Sequence, residues 1–443
     1  MFKKIWSLSA ILSLRFLGLF LVLPVLSLYA MEMENSTALL VGVIVGGYAL
    51  TQAILQVPFG TMSDKIGRKP TLVFGLLIFL VGSVVAAMST DIYMLMIGRF
   101  LQGAGAIGAV IPAMIADLVP EESRGKAMAM MGGSIAVSFA LAMGLGPVLG
   151  SAYGVASLFW LTAAFALLAI ILVFVKVPTP PRIHHVYHNK IKTSDILKDP
   201  NLVGMFVINA MQKGLMTIAF VLIPIILTAS IEDGGFAWEK SELWQAYLPA
   251  MIAGLIAMGP AAVFGEKHNK AKQIFLVSIV LFIAAFALMG LATSSGMFIA
   301  GIISFFIGFN MMEPLVQSLI SKYAKVHQKG AALGISNTAA YFMTFLGGTF
   351  AGLMLDISDR GTLGLVLAGV GVLWLVWTAV KLSNPIKNSF LYLDKAHIDM
   401  AKLEALEHDA IAEWYVNETE NLVVVKYKKD EIEEEEIKAK ILS

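Results

Sequence analysis

Four charged side chains lie deep inside long apolar stretches of the sequence, where an unpaired charge is costly. They are Arg15, Arg99, Lys213 and Glu313. Burial favours the neutral form of a carboxyl, so Glu313 is a candidate proton carrier that is neutral when occluded and ionised when open to water. The alternative is a carboxylate that is paired permanently with Lys213 or Arg15.

Arg99 must be accommodated differently, because an arginine does not lose its proton inside a protein. Its guanidinium needs carbonyl oxygens, water or an acid as acceptors, and one interpretation is a structural arginine that bonds carbonyls of the first apolar stretch. Cysteine is absent from the chain, which excludes disulfides, thiolate catalysis and cysteine-ligated metals.

A second group of charges lies where apolar stretches end. In the segment 60–70, GTMSDKIGRKP, Arg68 follows Asp64 by four residues and can reach back to it, while Gly67 supplies a backbone conformation that a Cβ would disfavour. Asp117 ends another apolar stretch. We expect Asp64, Arg68 and Asp117 to form one cluster, and a desolvated ion pair that exists in one of two conformations biases their equilibrium. The alternative is a charged loop that only sets topology.

The apolar stretches themselves indicate a membrane protein. Hydrophobic residues make up 58% of the chain and charged residues 14%, and the mean hydropathy is +0.79. The formal net charge of +1 gives no sign of a nucleic-acid partner. A membrane-spanning helix needs about 20 largely apolar residues. Twelve segments qualify, at 5–30, 38–60, 70–89, 93–118, 126–150, 153–177, 201–229, 243–265, 272–293, 296–321, 330–355 and 362–382.

The positive residues between these segments predict the orientation. If the N-terminus is cytoplasmic, the cytoplasmic loops hold a large excess of lysine and arginine, whereas the opposite loops hold only Lys240 and Arg360. This bias predicts a multi-pass protein of a bacterial inner membrane with both termini in the cytoplasm. An odd number of segments would destroy the bias, so it also favours twelve.

The chain repeats itself about its midpoint. The acid-base spacing of Asp64 and Arg68 recurs in the second half as Glu266 and Lys270, and internal duplication is typical of secondary transporters. The predicted divisions are a six-helix bundle at 1–177, a cytoplasmic linker at 178–200, a second six-helix bundle at 201–385 and a soluble domain at 386–443. Three linker histidines, His184, His185 and His188, offer a metal site as an alternative to a solvated linker, but no acidic or cysteine ligands flank them.

Three glycine-rich motifs follow one another along the first half. They run Gly60-x-x-x-Asp64-Lys65-x-Gly67-Arg68-Lys69, Gly98-Arg99-Phe100-Leu101-Gln102-Gly103-x-Gly105 and Gly144-x-Gly146-Pro147-x-x-Gly150. In this order they resemble motifs A, B and C of the major facilitator superfamily, and motif C is typical of its proton-driven drug antiporters. Motif A has Lys65 where arginine is common, and motif C is followed by Ser151 where a second glycine is usual. The opening helix and the soluble tail resemble the YajR-like branch of the superfamily.

The resemblance implies roles for these charges. The motif A cluster would hold the cytoplasmic helix ends together in the outward-facing state and separate on switching, and Arg99 would influence proton transfer. Many antiporters of the superfamily carry an acid in helix one, where this chain has Arg15. That difference moves the expected proton site to Glu313, with Lys213 as a neighbouring cation.

Motif C predicts a thin, bent fifth helix. Glycines 144, 146 and 150 with Pro147 would let that helix lie closely against helix eleven, which carries Gly347, Gly348 and Gly352, and seal the periplasmic side. The alternative is generic packing of small residues. The polar candidates for a central substrate cavity are Tyr48, Gln52, Asn209, Gln212, Asn310 and Tyr341.

The tail from 386 onwards changes character. A strand at 390–394, a helix, a hairpin formed by 411–417 and 422–430, and a second helix predict a β-α-β-β-α order. This order resembles the ferredoxin-like domain of YajR-like proteins without its last strand. Regulation of gating, ligand binding and oligomerisation are the alternatives for its role, and nothing in it indicates catalysis.

These patterns predict an all-α membrane protein of twelve spans in two six-helix bundles, with a small α+β cytoplasmic domain. The predicted function is proton-coupled export of small amphipathic molecules by a monomer, with no cofactor, no metal and no enzymatic activity; no ATP-binding P-loop is present. The alternatives are a membrane-embedded sensor or regulator that uses the C-terminal domain, and a proton-coupled uptake symporter.

Overall fold

The computed structural model describes residues 2–179, 193–324, 328–383, 388–404, 410–428 and 431–442, so the three linker histidines lie outside the described residues. The first half contains α1 (Phe2–Leu21), α2 (Leu23–Met31), α3 (Ala38–Ile66), α4 (Arg68–Ala87), α5 (Ile92–Ala104), α6 (Val110–Leu118), α7 (Glu121–Tyr153) and α8 (Val155–Lys176). The second half contains α9 (Thr193–Lys198), α10 (Pro200–Thr228), α11 (Trp244–Glu266), α12 (Ala271–Gly290), α13 (Ser295–Tyr323), α14 (Lys329–Ile357) and α15 (Arg360–Lys381).

Short polar side chains begin many of these helices. Thr37 accepts a hydrogen bond from the backbone N–H of Leu40 at the start of α3, and Asp91, Asp199 and Asp359 cap α5, α10 and α15 in the same way. The first backbone N–H groups of a helix have no partner inside the helix, so each cap satisfies donors at the membrane surface. The caps therefore define where the apolar segments enter the bilayer.

Eleven described helical segments are long and apolar enough to cross a membrane. The predicted segment 93–118 differs, because α5 and α6 divide it at 105–109. Gly105 lies directly against the backbone of Gly75 in α4, and this glycine-rich stretch has weak helix propensity. The first segment is also divided, before Pro24 of α2. α1 and α2 form one crossing, and α5 and α6 form another. The described helices therefore make twelve crossings, which places both chain ends on the same side of the membrane.

The two halves meet on the side away from the chain ends, which the charge bias identifies as the periplasm. The main seam joins α3 to α14, where a Cβ on Gly42 would overlap the backbone of Gly348 and Gly352. Phe139 of α7 stacks edge-on against Phe220 of α10, with ring centroids 6.1 Å apart. Close backbone approach and interlocked rings therefore close this side.

The close glycine contacts between the halves lie in the periplasmic part of α3 and α14. Toward the cytoplasm, a Cβ on Gly132 or Gly133 of α7, or on Gly330 or Gly334 of α14, would meet no atom within 4 Å. This distribution fits the inward-facing arrangement of a two-bundle transporter.

The tail forms a small α+β domain. Its elements are β1 (Asn388–Asp394), α16 (Met400–Glu404), β2 (Ile411–Asn417), β3 (Leu422–Lys428) and α17 (Glu434–Ile441). The antiparallel sheet has the order β1-β3-β2, with Leu391 of β1 opposite Val425 and Trp414 of β2 opposite the same residue. Apolar side chains of β3 and α17 form its core. The β-α-β-β-α order predicted from the tail is therefore confirmed.

Candidate transport site

The predicted motif A cluster is assembled around Arg68. Its Nε donates to Oδ2 of Asp117 at 2.8 Å, and its Nη1 donates to Oδ1 of Asp64 at 2.5 Å and to Oγ of Ser63 at 2.6 Å. The Asp117 side chain is 4% exposed and that of Asp64 is 53% exposed. The buried pair thus joins the start of α4 to the end of α6, while Asp64 faces the cytoplasmic side.

The turn that carries the cluster depends on Gly67. Its φ of 107° lies in the region that favours glycine, as the sequence analysis predicts, and it both ends α3 and begins α4. Lys65 is exposed in the last turn of α3, and Gly60 makes only ordinary contact with Ala109. Gly67 therefore sets the conformation of the turn, whereas no described helix packs so closely against Gly60 that a larger residue would clash.

The cluster lies wholly within the first half, and it is formed while the periplasmic side is closed. The expectation that the cluster holds the outward-facing state and separates on switching stays a prediction. The three helices α3, α4 and α6 belong to one bundle, and contacts within a bundle need not break when two bundles rock against each other. The cluster alone does not join the two halves.

A second ion pair occupies the equivalent corner of the other half. Glu266 at the end of α11 pairs with Lys322 near the end of α13. The sequence repeat aligns Glu266 with Asp64. In the structure, the partner of Glu266 belongs to helix α13 and not to the turn that follows α11. Each half therefore carries one charged cluster at its cytoplasmic end.

Glu313 and Lys213 form an ion pair inside the membrane-spanning region. The Lys213 Nζ lies 2.7 Å from Oε2 and 2.9 Å from Oε1 of Glu313, and Nε2 of Gln212 donates to Oε2 at 3.0 Å. The Glu313 side chain is 39% exposed, which is more than the sequence analysis expected. The pair joins α10 to α13 in the second half, and both side chains are partly exposed.

Arg15 lies in the first half without an acid partner in the described structure. Its Nη2 donates to Oε1 of Gln52 at 3.1 Å, and its guanidinium lies 5.4 Å from the ring centroid of Phe79. Its Nε and Nη1 have no hydrogen-bond partner among the described residues. The alternative of a Glu313–Arg15 pair is therefore wrong for this conformation.

Arg99 is fully buried and held by neutral groups. Its Nη1 donates to Oε1 of Gln102 at 2.6 Å, its Nε donates to the Ile44 carbonyl at 3.3 Å, and its guanidinium stacks 4.8 Å from the ring centroid of Tyr48. The carbonyl belongs to α3 and not to the first helix, because α5 packs beside α3. Arg99 therefore links two helices of one bundle.

The six cavity candidates separate into two groups. Gln52, Gln212 and Tyr341 lie beside the central charges. Tyr48 lies under Arg99, Asn209 donates to Ser336 Oγ at 2.9 Å between α10 and α14, and Asn310 donates to the Phe306 carbonyl at 2.9 Å. Tyr48 and Asn209 therefore lie at contacts between helices, whereas the Asn310 hydrogen bond stays within α13. The sequence analysis missed Gln56, although its spacing of four residues from Gln52 places both on one face of α3.

Motif C packs against partners other than the predicted one. Gly146 lies against the Leu21 carbonyl at the end of α1, Gly144 faces Leu248 of α11, and Gly150 contacts Leu158 of α8. The expected contact with helix eleven, which is α14 in the structure, is wrong: Gly347 lies against Gly214 of α10, and Gly348 and Gly352 lie against α3. Pro147 does stand inside α7. The small residues of motif C therefore let α7, the fifth membrane-spanning helix, pack closely against neighbours in its own bundle and against α11.

The C-terminal domain touches the cytoplasmic corner of each half. Glu420, in the turn between β2 and β3, pairs with Arg124 of α7, and Arg124 Nε also donates to the Ala116 carbonyl at 3.2 Å beside Asp117. Lys426 of β3 donates to the Lys322 carbonyl at 2.9 Å. Sequence reasoning missed these contacts, because docking between domains leaves no periodic pattern.

The docked lysine is desolvated. Burial lowers the pKa of the Lys426 ammonium from its ordinary value, while Glu413 and Asp199 oppose that shift. A second contact of the domain places Lys329 Nζ 4.0 Å from the ring centroid of Phe390. The interface therefore contains charged groups removed from water on both sides.

Two six-helix bundles that close on one membrane face, with charges at membrane depth between them, define a secondary transporter. The chain belongs to the Major Facilitator Superfamily, whose family model matches residues 8–348 and 244–392. It is accordingly an inner-membrane transport protein for small molecules, in agreement with its similarity to a curated relative of that description.

The relatives include transporters of known and unknown role. The chain is 34% identical to the inner membrane transport protein YajR of Escherichia coli (strain K12), over 96% of this chain and 94% of that protein. It is 29% identical to the quinolone resistance protein NorA of Staphylococcus aureus, over 83% of this chain and 95% of NorA. The D-xylose-proton symporter structure shares the fold, with a TM-score of 0.67 at 17% identity over 87% of this chain and 99% of that one.

Proposed function

We propose that this chain exports small amphipathic molecules in exchange for protons by alternating access. The observation that carries the proposal is the Lys213–Glu313 pair, whose 2.7 Å contact lies inside the membrane-spanning region and within reach of solvent. A carboxylate in this position takes up a proton at the cost of its ion pair, so protonation and helix position are linked. Similarity to NorA, a quinolone resistance protein, supports the export direction.

The motif A cluster serves as the conformational switch in this proposal. Arg68 and Asp117 hold the first half rigid, and Asp64 and Lys65 stand exposed on the cytoplasmic surface. When the cytoplasmic side closes, these exposed charges must meet the second half and lose water. The difference in their environment between the two states, rather than the presence of the Arg68 pair, then biases the equilibrium. Arg15 and Arg99 set the positive potential near the proton path.

The central residues come from both halves of one chain, which supports a monomer as the working unit. Arg15 and Gln52 belong to the first bundle, and Lys213 and Glu313 to the second. No residue of a second copy is required to complete this set.

A Glu313→Gln variant tests the proton coupling. Liposomes that contain the purified protein and trapped pyranine report proton movement when an amphipathic dye, ethidium or 8-anilinonaphthalene-1-sulfonate, is added outside. We expect dye-driven proton movement in the original protein and none in the variant. Asp356→Asn is the matched control, because it makes the same change at an exposed acid near the periplasmic end of α14. Equal proton movement in Glu313→Gln and the original protein would remove Glu313 from the mechanism.

A second function, regulation by the C-terminal domain, is favoured by one observation. The domain contacts Arg124 of the first half and the Lys322 carbonyl of the second half in the arrangement that is open to the cytoplasm. A domain that binds both halves in one state stabilises that state by its docking energy. We infer that the domain acts as a brake on closure of the cytoplasmic side.

A further inference from the structure

We infer that the first bundle holds an anion-binding subsite centred on Arg15, and that the exported molecule carries a carboxylate or similar anionic group. This inference rests on the proposed function, because it names the substrate class of the same central region. Its starting point is charge: apart from Lys126, which is exposed in the second turn of α7, the described membrane-spanning helices carry Arg15, Arg99, Lys213 and Glu313 away from their terminal turns, three cations and one anion. The region is therefore net positive.

The single acid does not neutralise the arginines. Glu313 is engaged by Lys213 and Gln212. Arg99 has the Ile44 carbonyl, Gln102 and the Tyr48 ring as neutral partners, and only its Nη2 has no hydrogen-bond partner among the described residues. That leaves Arg15, fully buried, with Gln52 and the rings of Phe16 and Phe79 around its guanidinium. A buried cation without a counter-charge is costly, and an anionic ligand supplies that charge on binding.

Unused donors converge near Arg15. Arg15 Nε and Nη1 have no partner among the described residues, and neither has Gln52 Nε2. An arginine can only donate, so the Gln52 oxygen must face Arg15 and the Gln52 amide nitrogen must face away from it. The arrangement therefore offers N–H donors in excess of acceptors, which suits an anion and disfavours a cation.

The backbone of Gly108 lies beside these donors, at a point where the two bundles meet. A Cβ at Gly108 would lie 3.3 Å from Gln52 Nε2, 3.8 Å from the Tyr341 hydroxyl and 3.9 Å from Gln56 Oε1. Residues of both bundles therefore surround this point, since Tyr341 belongs to α14. Tyr341 also lies within electrostatic range of both Arg15 and Glu313, so an anion here is coupled to the proton site.

The test measures binding without a gradient. Full-length protein in lipid nanodiscs at neutral pH is heated with benzoate, 1-naphthoate or octanoate, and separately with the matched primary amides and primary amines, while circular dichroism follows unfolding. We expect the carboxylates to raise the melting temperature in a saturable way and the amides and amines to leave it unchanged. If carboxylates stabilise the protein no better than their amides or amines, the inference is wrong.

Variants locate the effect. Arg15→Gln should abolish the carboxylate preference, and Tyr341→Phe, which removes one hydroxyl and keeps the ring, should weaken apparent carboxylate affinity by about tenfold. Arg360→Gln is the matched control, because it removes an arginine that lies outside the central region and donates to the Gly234 and Ala292 carbonyls. Retained preference in both Arg15→Gln and Tyr341→Phe, or its equal loss in Arg360→Gln, would overturn the assignment.

Two further outcomes are decisive. If sodium chloride alone raises the melting temperature in a saturable way and removes the carboxylate effect, the site takes an inorganic ion and the substrate assignment fails. If carboxylates bind selectively but no dye or carboxylate drives proton movement, the coupling proposal fails and the anion subsite stands.

Discussion

Arg68 anchors the cytoplasmic cluster because its guanidinium reaches acceptors on different elements at once. Separate nitrogens serve Asp117 and Asp64, at 2.8 Å and 2.5 Å, and the second nitrogen also serves Ser63. A lysine is a compact point charge and does not reproduce this fork. The motif therefore depends on arginine at this position, while Lys65, which is exposed, tolerates the exchange of one cation for another.

The two acids of the cluster should differ in their importance. In Asp117→Asn the guanidinium loses its buried counter-charge, and breaking a buried pair from one side costs about 3–5 kcal/mol. Asp64→Asn alters a pair of which one partner is half exposed, and such pairs contribute about 0–1 kcal/mol. We expect a clearly lower melting temperature for Asp117→Asn alone, measured on purified protein. Similar melting temperatures for the two variants would show that burial does not decide their roles.

The Asp64–Arg68 pair was predictable from its spacing of four residues, and Asp117 was added because it ends helix four on the same side and because the motif resembles that of the family. The partners of Arg15 and Arg99 were not. Arg99 bonds a carbonyl of α3 because α5 lies beside α3, and that neighbour is set by tertiary packing rather than by local sequence. The roles of these residues in coupling remain predictions.

The α3–α14 seam shows why glycine position matters at the scale of elements. Gly42, Gly348 and Gly352 have backbone atoms of the opposite helix where a Cβ would stand. Helix association in a membrane relies on such close packing, since lipid removes the hydrophobic advantage of burial. The seam is therefore a gate whose closure requires these small residues.

Gly348→Val should hold the periplasmic gate open. Overpacking of this kind costs about 1–3 kcal/mol, and the cost falls only on the closed state. A Ser27→Cys substitution reports opening of this gate, because it introduces the only cysteine of the sequence. Ser27 is fully buried, and its Oγ donates to the Phe220 carbonyl of the other half, so the new thiol becomes accessible only when the halves separate there. In that background we expect Gly348→Val to increase labelling by a membrane-impermeant maleimide applied from the periplasm, and to reduce transport.

Gly334→Ala is the matched control for the seam. A Cβ at Gly334 meets nothing within 4 Å, although it lies in the same helix. Alanine in a helix interior is about 0.5–1 kcal/mol better than glycine, so we expect unchanged or slightly higher stability and unchanged labelling. Unchanged labelling in Gly348→Val as well would show that the seam does not gate access.

Span positions were predictable from apolar length, but helix continuity and partners were not. The break between α5 and α6 falls in a stretch whose glycines gave a signal that the apolar count ignored. The partner of motif C was predicted wrongly: helix eleven, which is α14 in the structure, was taken as the partner because it is the repeat equivalent of the fifth helix, whereas the contacts across the halves pair α3 with α14 and α7 with α11.

At the scale of the whole molecule, the conformation and the docking of the tail lay beyond sequence reasoning. One sequence must satisfy both transport states, so its composition does not favour either one. The β-α-β-β-α order of the tail followed from local alternation, but Glu420 and Lys426 read as ordinary surface charges until the structure placed them against Arg124 and the Lys322 carbonyl. The domain boundaries proposed from the sequence remain predictions.

If the C-terminal domain is a brake, weakening its contact with the first half should shift the population toward the state open to the periplasm. Glu420→Arg places two cations together at the Arg124 contact, and we expect increased periplasmic labelling in the Ser27→Cys background. Adding Arg124→Glu restores opposite charges and should return labelling toward its original level. Glu418→Arg is the matched control: it lies in the same turn, but its partner is Lys395 within the domain, at 2.7 Å. Equal labelling for Glu418→Arg and Glu420→Arg would assign the effect to domain stability, and unchanged labelling for Glu420→Arg would mean that docking of the domain does not bias the transport cycle.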